Sequence, residues 1–406
     1  MKFLRRLLDQ QAQHFSSSGK FAWLAALWEA QDTFLYTPGY VTKVAPHVRD
    51  GIDLKRMMMT VVLSLAGCVY MALYNTGYQA NLAITSGAPA LETWQTVVVN
   101  TIGTGFQPDD WMSCMVHGGL YYLPVLAVTF VVGGLWEVLF ATVRKHDVNE
   151  GFLVTGMLFP LILPPTVPLW QVALGISFGV VVGKEIFGGT GMNVLNPALV
   201  GRAFIFFAYP AQLSGDTVWI AAQTAADGVS GATALAQATL GGISTVIPNI
   251  TMGDAFIGFI PGSMGETSVL ACLIGAIILI ATGIGSWRIM LSVIVGTFAT
   301  TLLLNAVGST MNPFFDVSPT WHFLLGGWAF GTVYMATDPV SAPSALAGHY
   351  VYGFLIGVLV VLIRVVNPAY PEGIMLAILF MNLFAPLIDY FAIRANVKRR
   401  RARYAR

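Results

Sequence analysis

Ten apolar runs, each long enough to cross a bilayer or nearly so, divide this chain. They fall at about 57–75, 119–143, 151–164, 169–187 and 197–210, then at about 267–284, 289–307, 322–336, 350–365 and 372–391. In hydrocarbon every backbone N–H and C=O needs an internal partner, so such runs fold as helices, or as irregular backbone buried in protein. Of 406 residues, 56% are hydrophobic and 10% charged, with a mean hydropathy of +0.69. The expected fold class is therefore an all-α polytopic membrane protein. The net charge of +1 gives nucleic acid no footing.

Lys and Arg gather on the cytoplasmic side of membrane proteins. Here Lys43, Arg49, Lys55 and Arg56 precede the first run, and Arg394, Lys398, Arg399, Arg400, Arg401, Arg403 and Arg406 follow the last. Both termini read as cytoplasmic, which requires an even number of spans. Arg144, Lys145, Lys184 and Arg288 fall on inner loops of a ten-helix arrangement, and Arg364 is the exception, at the outer end of the ninth run. Residues 1–55 form a segment outside the membrane with a turn at Thr37-Pro38-Gly39. No cleavable signal is evident. The basic and apolar pattern from Met1 to Phe15 predicts a surface helix against membrane lipid or a partner subunit.

The two halves share landmarks in one order. Pro164-x3-Pro168, Gly175-x3-Gly179-Val180 and Asn196-Pro197-Ala198 return as Pro339-x3-Pro343, Gly353-x3-Gly357-Val358 and Asn367-Pro368-Ala369. Five helices per half is an odd number, so the second half enters from the opposite face. That predicts two inverted five-helix repeats, 56–210 and 267–391, with binding sites near the midplane. A loop, 211–266, joins them on the outer side, and 392–406 is a basic cytoplasmic tail.

From Ala203 to Glu266 there is no Lys or Arg. Within this stretch lies Asp227-Gly228-Val229-Ser230-Gly231-Ala232-Thr233. By residue type alone it is a flexible, hydroxyl-bearing turn in a loop without its own elements. Elsewhere Gly188-Gly189-Thr190-Gly191 reads as a broken-helix junction, since no Lys-Ser/Thr pair follows it. Backbone freed there must line a cavity or be buried, which makes Asn193 and Asn196 candidate ligands for a polar headgroup. Glu137 lies inside the second run, as either a functional carboxylate or one that reaches interfacial water. Asp338 and Asp389 sit near inner helix ends, where interfacial solvation is the plainer reading of each, and with Glu137 they are candidates for binding sodium, a hard cation that prefers oxygen. Gly133 and Gly134 remove side-chain bulk, so another helix or a flat ring could approach their backbone. His117, Trp94 and Trp111 fit interfacial belts. Cys68, Cys114 and Cys272 match no metal, iron–sulfur or disulfide spacing. No dinucleotide fold is legible, so the chain cannot oxidise NADH by itself.

The Asp-x-x-Ser-Gly-Ala-Thr pattern resembles the flavinylation motif of membrane subunits that carry FMN on threonine. A flavin transferase takes FMN from FAD and esterifies its phosphate to that residue, here Thr233, with Asp227, Ser230 and Gly231 as its motif partners. The likeness extends over essentially the whole chain, to the B subunits of bacterial sodium-translocating NADH:quinone reductases. It is carried by Trp28-Glu29-Ala30-Gln31-Asp32-Thr33-Phe34-Leu35-Tyr36-Thr37-Pro38-Gly39, His47-Val48-Arg49-Asp50, Thr155-Gly156-Met157-Leu158-Phe159-Pro160 and Lys184-Glu185-Ile186-Phe187-Gly188-Gly189-Thr190-Gly191. The resemblance implies a six-subunit complex of the bacterial inner membrane, with partner subunits A, C, D, E and F. It implies electron flow from NADH to a covalent FMN on this chain, then to riboflavin and ubiquinone, with sodium moved outward. Gly133, Gly134 and Glu137 would then serve the quinone headgroup. The alternatives are the related D subunit of the ferredoxin:NAD oxidoreductase complex, and a small-solute transporter or channel.

Overall fold

The computed structural model describes residues 54–145, 150–224, 231–246, 250–367 and 372–404, with residues 10–12, 14, 15, 28, 148 and 248 besides. The turn at Thr37-Pro38-Gly39 lies outside the described residues. Of the expected surface helix only 10–12, 14 and 15 are described, and they are helical. The described residues form helices and connecting loops, with one isolated antiparallel bridge, Ala90 to Ala222.

Among the described residues, six helices are long and apolar enough to span a membrane: Leu54–Thr85, Trp111–Arg144, Leu169–Phe187, Trp287–Val307, Leu346–Val366 and Ile374–Arg403. The other four of the ten expected spans fall short. Gly151–Leu161, Pro197–Ala208 and Val269–Ala281 are apolar helices of 10–17 residues. The eighth, read from sequence as one helix over 322–336, is broken into Pro319–Leu324, Trp328–Phe330 and a π-turn over Gly331–Met335. The break sits at Gly326, whose φ of +69° is closed to a right-handed helix.

Arg364 explains how the break survives burial, and why a cation stands where the charge rule disfavours one. It is 1% exposed. Its guanidinium donates to the carbonyls of His322 (2.7 Å) and Leu325 (2.8 Å), at the end of the Pro319–Leu324 helix, and to that of Glu372 (3.1 Å). The first two are carbonyls that an unbroken helix would have satisfied. Charge-assisted bonds contribute about 1.5–3 kcal/mol each. Arg364→Met is therefore expected to destabilise the fold by at least about 3 kcal/mol, read as a lowered thermal midpoint of the purified protein. Arg364→Lys, with one ammonium for three carbonyls, should recover only part.

The first helix runs ten residues past its expected end at 75, and the second starts eight residues before 119. Both extensions are polar but internally bonded. Asn75 donates to the Ile260 carbonyl (3.0 Å), and Asn81 meets Ser113 and His117. Asp110 caps the second helix by accepting from the Met112 and Ser113 amides. His117 is thus a buried partner of Asn81 and not a belt residue.

The Val269–Ala281 helix packs on the Leu54–Thr85 segment, and one hydrophobic core runs through both halves. The repeated glycine landmarks are both contact points, against different neighbours. A Cβ on Gly179 would collide with the Pro197 carbonyl, on the following helix, whereas one on Gly357 would collide with the Val293 carbonyl, on the preceding one. Cavities open at the two ends of Val269–Ala281: Thr267 lines one and Leu279 the other. The 13-residue helix between them is roughly 20 Å long.

Candidate functional site

The 211–266 stretch does contain elements, contrary to the sequence reading: Pro210–Leu213, Ala234–Gly241, Ile243–Val246 and Met252–Ile257 are helical. Thr233 is the N-cap of Ala234–Gly241. Its backbone is extended, and its hydroxyl oxygen accepts from the Ala236 amide at 3.2 Å. The residue is half-buried and faces a cavity of about 210 Å³. A phosphate esterified to this oxygen would meet the unpaired amides and the positive end of the helix dipole. Gly231 is fixed by close approach, since a Cβ there would overlap the Asp216 carbonyl oxygen. Asp227 and Ser230 lie outside the described residues.

The same cavity is walled by an ionic cluster that the sequence reading missed. The Arg202 guanidinium donates to Glu372 at 2.5 Å and to both Glu266 oxygens at 3.4 Å, and Ser263 lies 3.4 Å away. Arg202 and Glu266 are buried. Burial pushes the Glu266 carboxyl up to about 8; Arg202 opposes that shift and the Glu372 carboxylate adds to it. A signal was available, because an arginine inside an apolar run is a pointer to function by default.

The second cavity, of about 80 Å³, lies between the halves. Lys184, Thr190, Asn193, Asn196, Tyr334 and Asp338 are among its lining residues. Asn196 also caps the Pro197–Ala208 helix, accepting from the Ala198 and Leu199 amides. Asn193 donates to the Leu195 carbonyl. Asp338 accepts from the Val340 amide and the Ser341 hydroxyl. Gly188, Gly189 and Gly191 all have positive φ, as a broken-helix junction requires.

Behind Lys184 stands Glu137. The two form a buried ion pair, each side chain 4% exposed. Lys184 also lies 3.4 Å from Glu185, which binds Arg144 at 2.9 Å. Two cations and two anions thus close the C-terminal end of the Trp111–Arg144 helix. Glu137 therefore does not reach interfacial water, as one of its two readings had it. The adjacent glycines are not equivalent. A Cβ on Gly133 would overlap the Phe152 ring and lie 3.0 Å from Ile176, whereas one on Gly134 would meet nothing closer than 4.0 Å.

Asp389 lies apart from this cavity and accepts from the Ser344 and Ala345 amides at 2.7 and 2.8 Å, just before the Leu346–Val366 helix. Glu137, Asp338 and Asp389 are not brought together as one ligand set, and no cluster of three metal-binding side chains occurs among the described residues.

The family described as NQR2, RnfD, RnfE matches residues 41–398. Similar relatives include the B subunit of the Na(+)-translocating NADH-quinone reductase of Ectopseudomonas mendocina (strain ymp), 58% identical over 98% of this chain and 99% of that protein. The protein of the same name from Chromohalobacter salexigens is 58% identical over 99% of this chain and 97% of its own. That of Azotobacter vinelandii is 56% identical, over 98% and 99%. The chain belongs to the NQR2, RnfD, RnfE family.

Proposed function

We propose that this chain is a membrane subunit of a sodium-translocating NADH:quinone reductase, and that it carries FMN as a phosphoester on Thr233. The observation that carries the flavin reading is the placement of the Thr233 hydroxyl, at a helix N-terminus and on the wall of a cavity. The names of the relatives support the complex and disfavour the D-subunit and transporter alternatives. When bound, the flavin supplies reversible electron uptake and release. The chain's part is to hold the phosphate at the Ala234–Gly241 N-terminus and to wall the ring from water with apolar groups and the Arg202 cluster.

The second cavity suits riboflavin. Asn193, Asn196, Thr190 and Asp338 offer donors and acceptors to an amide-edged ring, and the apolar lining suits its flat faces. NADH oxidation falls to a partner subunit in this reading, since no dinucleotide-binding motif is legible in the sequence. The other subunits A, C, D, E and F, and a flavin transferase for maturation, complete the assembly in the bacterial inner membrane with both termini cytoplasmic. Two inverted five-helix repeats, using half-length and broken helices, remain the architecture that best accounts for the paired landmarks. Asp338, Asp389 and Glu137 stay candidates for sodium coupling.

Proteolysis and mass spectrometry test the flavin. Trypsin has no site between Arg202 and Arg288, so chymotrypsin is the tool. The peptide containing Thr233, from complex matured with the transferase, should carry the FMN mass, and an unmodified peptide would overturn the reading.

We place the quinone headgroup near Gly134 and Glu137. Gly134→Ala should raise the quinone KM with flavin content unchanged. Gly133→Ala should displace Phe152 and cost assembly, at about 1–3 kcal/mol for overpacking. Steady-state kinetics and flavin content of both variants separate the two roles. Unchanged quinone kinetics in Gly134→Ala would remove the quinone from this helix face.

A further inference from the structure

We propose that Arg202, held between Glu372 and Glu266, sets the electron affinity of the group carried on Thr233, as a positioning residue for its charge. The inference rests on the reading that Thr233 carries a flavin.

Arg202 and Thr233 line one cavity. Arg202 belongs to the Pro197–Ala208 helix and Thr233 to the loop, so only the fold brings them together. From Ala203 through Trp287 the sequence has no other Lys or Arg. Among the described residues lining this cavity, Arg202 is the one cation, beside three carboxyl groups, those of Asp216, Glu266 and Glu372. Each electron that enters a flavin without a proton adds one negative charge. In a buried site such a charge interacts strongly with neighbouring fixed charges, because water screens them little. The cation must favour electron uptake and the Glu372 carboxylate must oppose it, while Glu266, pushed up to about 8 by burial, is largely protonated at neutral pH and adds little charge.

The anchoring makes the arrangement precise in position. Glu372 binds Arg202 through its carboxylate, and its backbone carbonyl accepts from Arg364 at 3.1 Å. Arg364 in turn holds the break in the eighth segment through the Leu325 carbonyl, next to Gly326 and Gly327, which also line the cavity. Glu266 is buried against Gly327, where a Cβ would lie 2.6 Å from its carboxylate oxygen. Arg202 is thus clamped from two sides by groups tied to the backbone. A guanidinium fixed in this way presents its charge at constant distance, which a mobile surface lysine could not do.

The test is the midpoint potential of the Thr233-linked flavin, followed spectroscopically in the intact purified complex, with the fluorescent band of this subunit on a denaturing gel as a second readout. Glu372→Gln removes a negative charge and leaves Arg202 in place. It should favour electron uptake about tenfold, a positive shift of 59 mV for one electron. Arg202→Gln should shift the potential the other way by a similar factor. Opposite signs with an unchanged fluorescent band support the proposal, since disruption of packing has no reason to reverse sign between the two. Shifts of the same sign, or of less than threefold in both, overturn it. If Arg202→Gln does not assemble, Glu372→Gln decides, with a positive shift required. A wild-type band that does not fluoresce would overturn the underlying flavin reading instead.

Discussion

Thr233→Val is expected to abolish the ultraviolet fluorescence of this subunit on a denaturing gel and to reduce quinone reductase activity of the complex to background. Valine keeps the shape of threonine and removes only the hydroxyl. Two separate consequences follow from that atom. The phosphoester loses its acceptor, so no flavin is attached. The Ala236 amide loses its cap, which costs about 1 kcal/mol. The second effect is too small to unfold a chain of this size, so the complex should still assemble with the remaining cofactors in place. Thr233→Ser restores both the acceptor and the cap and should regain fluorescence in part or in full. Fluorescence that persists in the valine variant would mean that the flavin sits elsewhere. Loss of assembly in Thr233→Val, with assembly intact in Thr233→Ser, would make the hydroxyl structural.

The apolar segments were legible because hydrophobic length is a local property, and nine of the ten expected positions coincide with continuous or nearly continuous helices. Errors arose where polarity was satisfied at a distance. Asn75 stood at the expected end of the first helix and His117 read as a belt residue, yet Asn75, Asn81 and His117 each find a buried partner on another segment. The break at Gly326 was hidden for the same reason, since its carbonyls are satisfied by Arg364, more than thirty residues on. Thr233 was found by its motif, but its place as an N-cap depends on a short helix that the loop's small residues did not advertise. The Arg202 cluster joins residues 202, 266 and 372, and no local pattern links them. Asp389 was a candidate for sodium from its charge and its place near a helix end, a reading that its amide bonds leave open. Its bonds to two amides show that a carboxylate near a helix end has a structural use for the same charge.

The pair of Glu137 and Lys184 should give the largest stability effect at the C-terminal end of the Trp111–Arg144 helix. Lys184→Met would leave Glu137 buried with its ammonium partner gone, and Glu185 with Arg144 alone. Breaking a buried pair by removing one partner costs about 3–5 kcal/mol, because the remaining charge stays out of water. The single variant is therefore expected to lose most of its assembled complex or a large part of its thermal stability. Replacing both residues removes the orphaned charge as well, and such replacements are often close to neutral. The double variant Glu137→Gln/Lys184→Met should accordingly assemble far better than Lys184→Met alone. Its activity then separates structure from chemistry. If Glu137 serves only to neutralise Lys184, turnover returns together with assembly. If its carboxylate acts on the quinone headgroup or in sodium coupling, the double variant assembles with full flavin content yet shows a raised quinone KM or a raised sodium requirement. A double variant no more stable than Lys184→Met would show that the two residues are not energetically coupled, and the ion pair would lose its place as the support of this site.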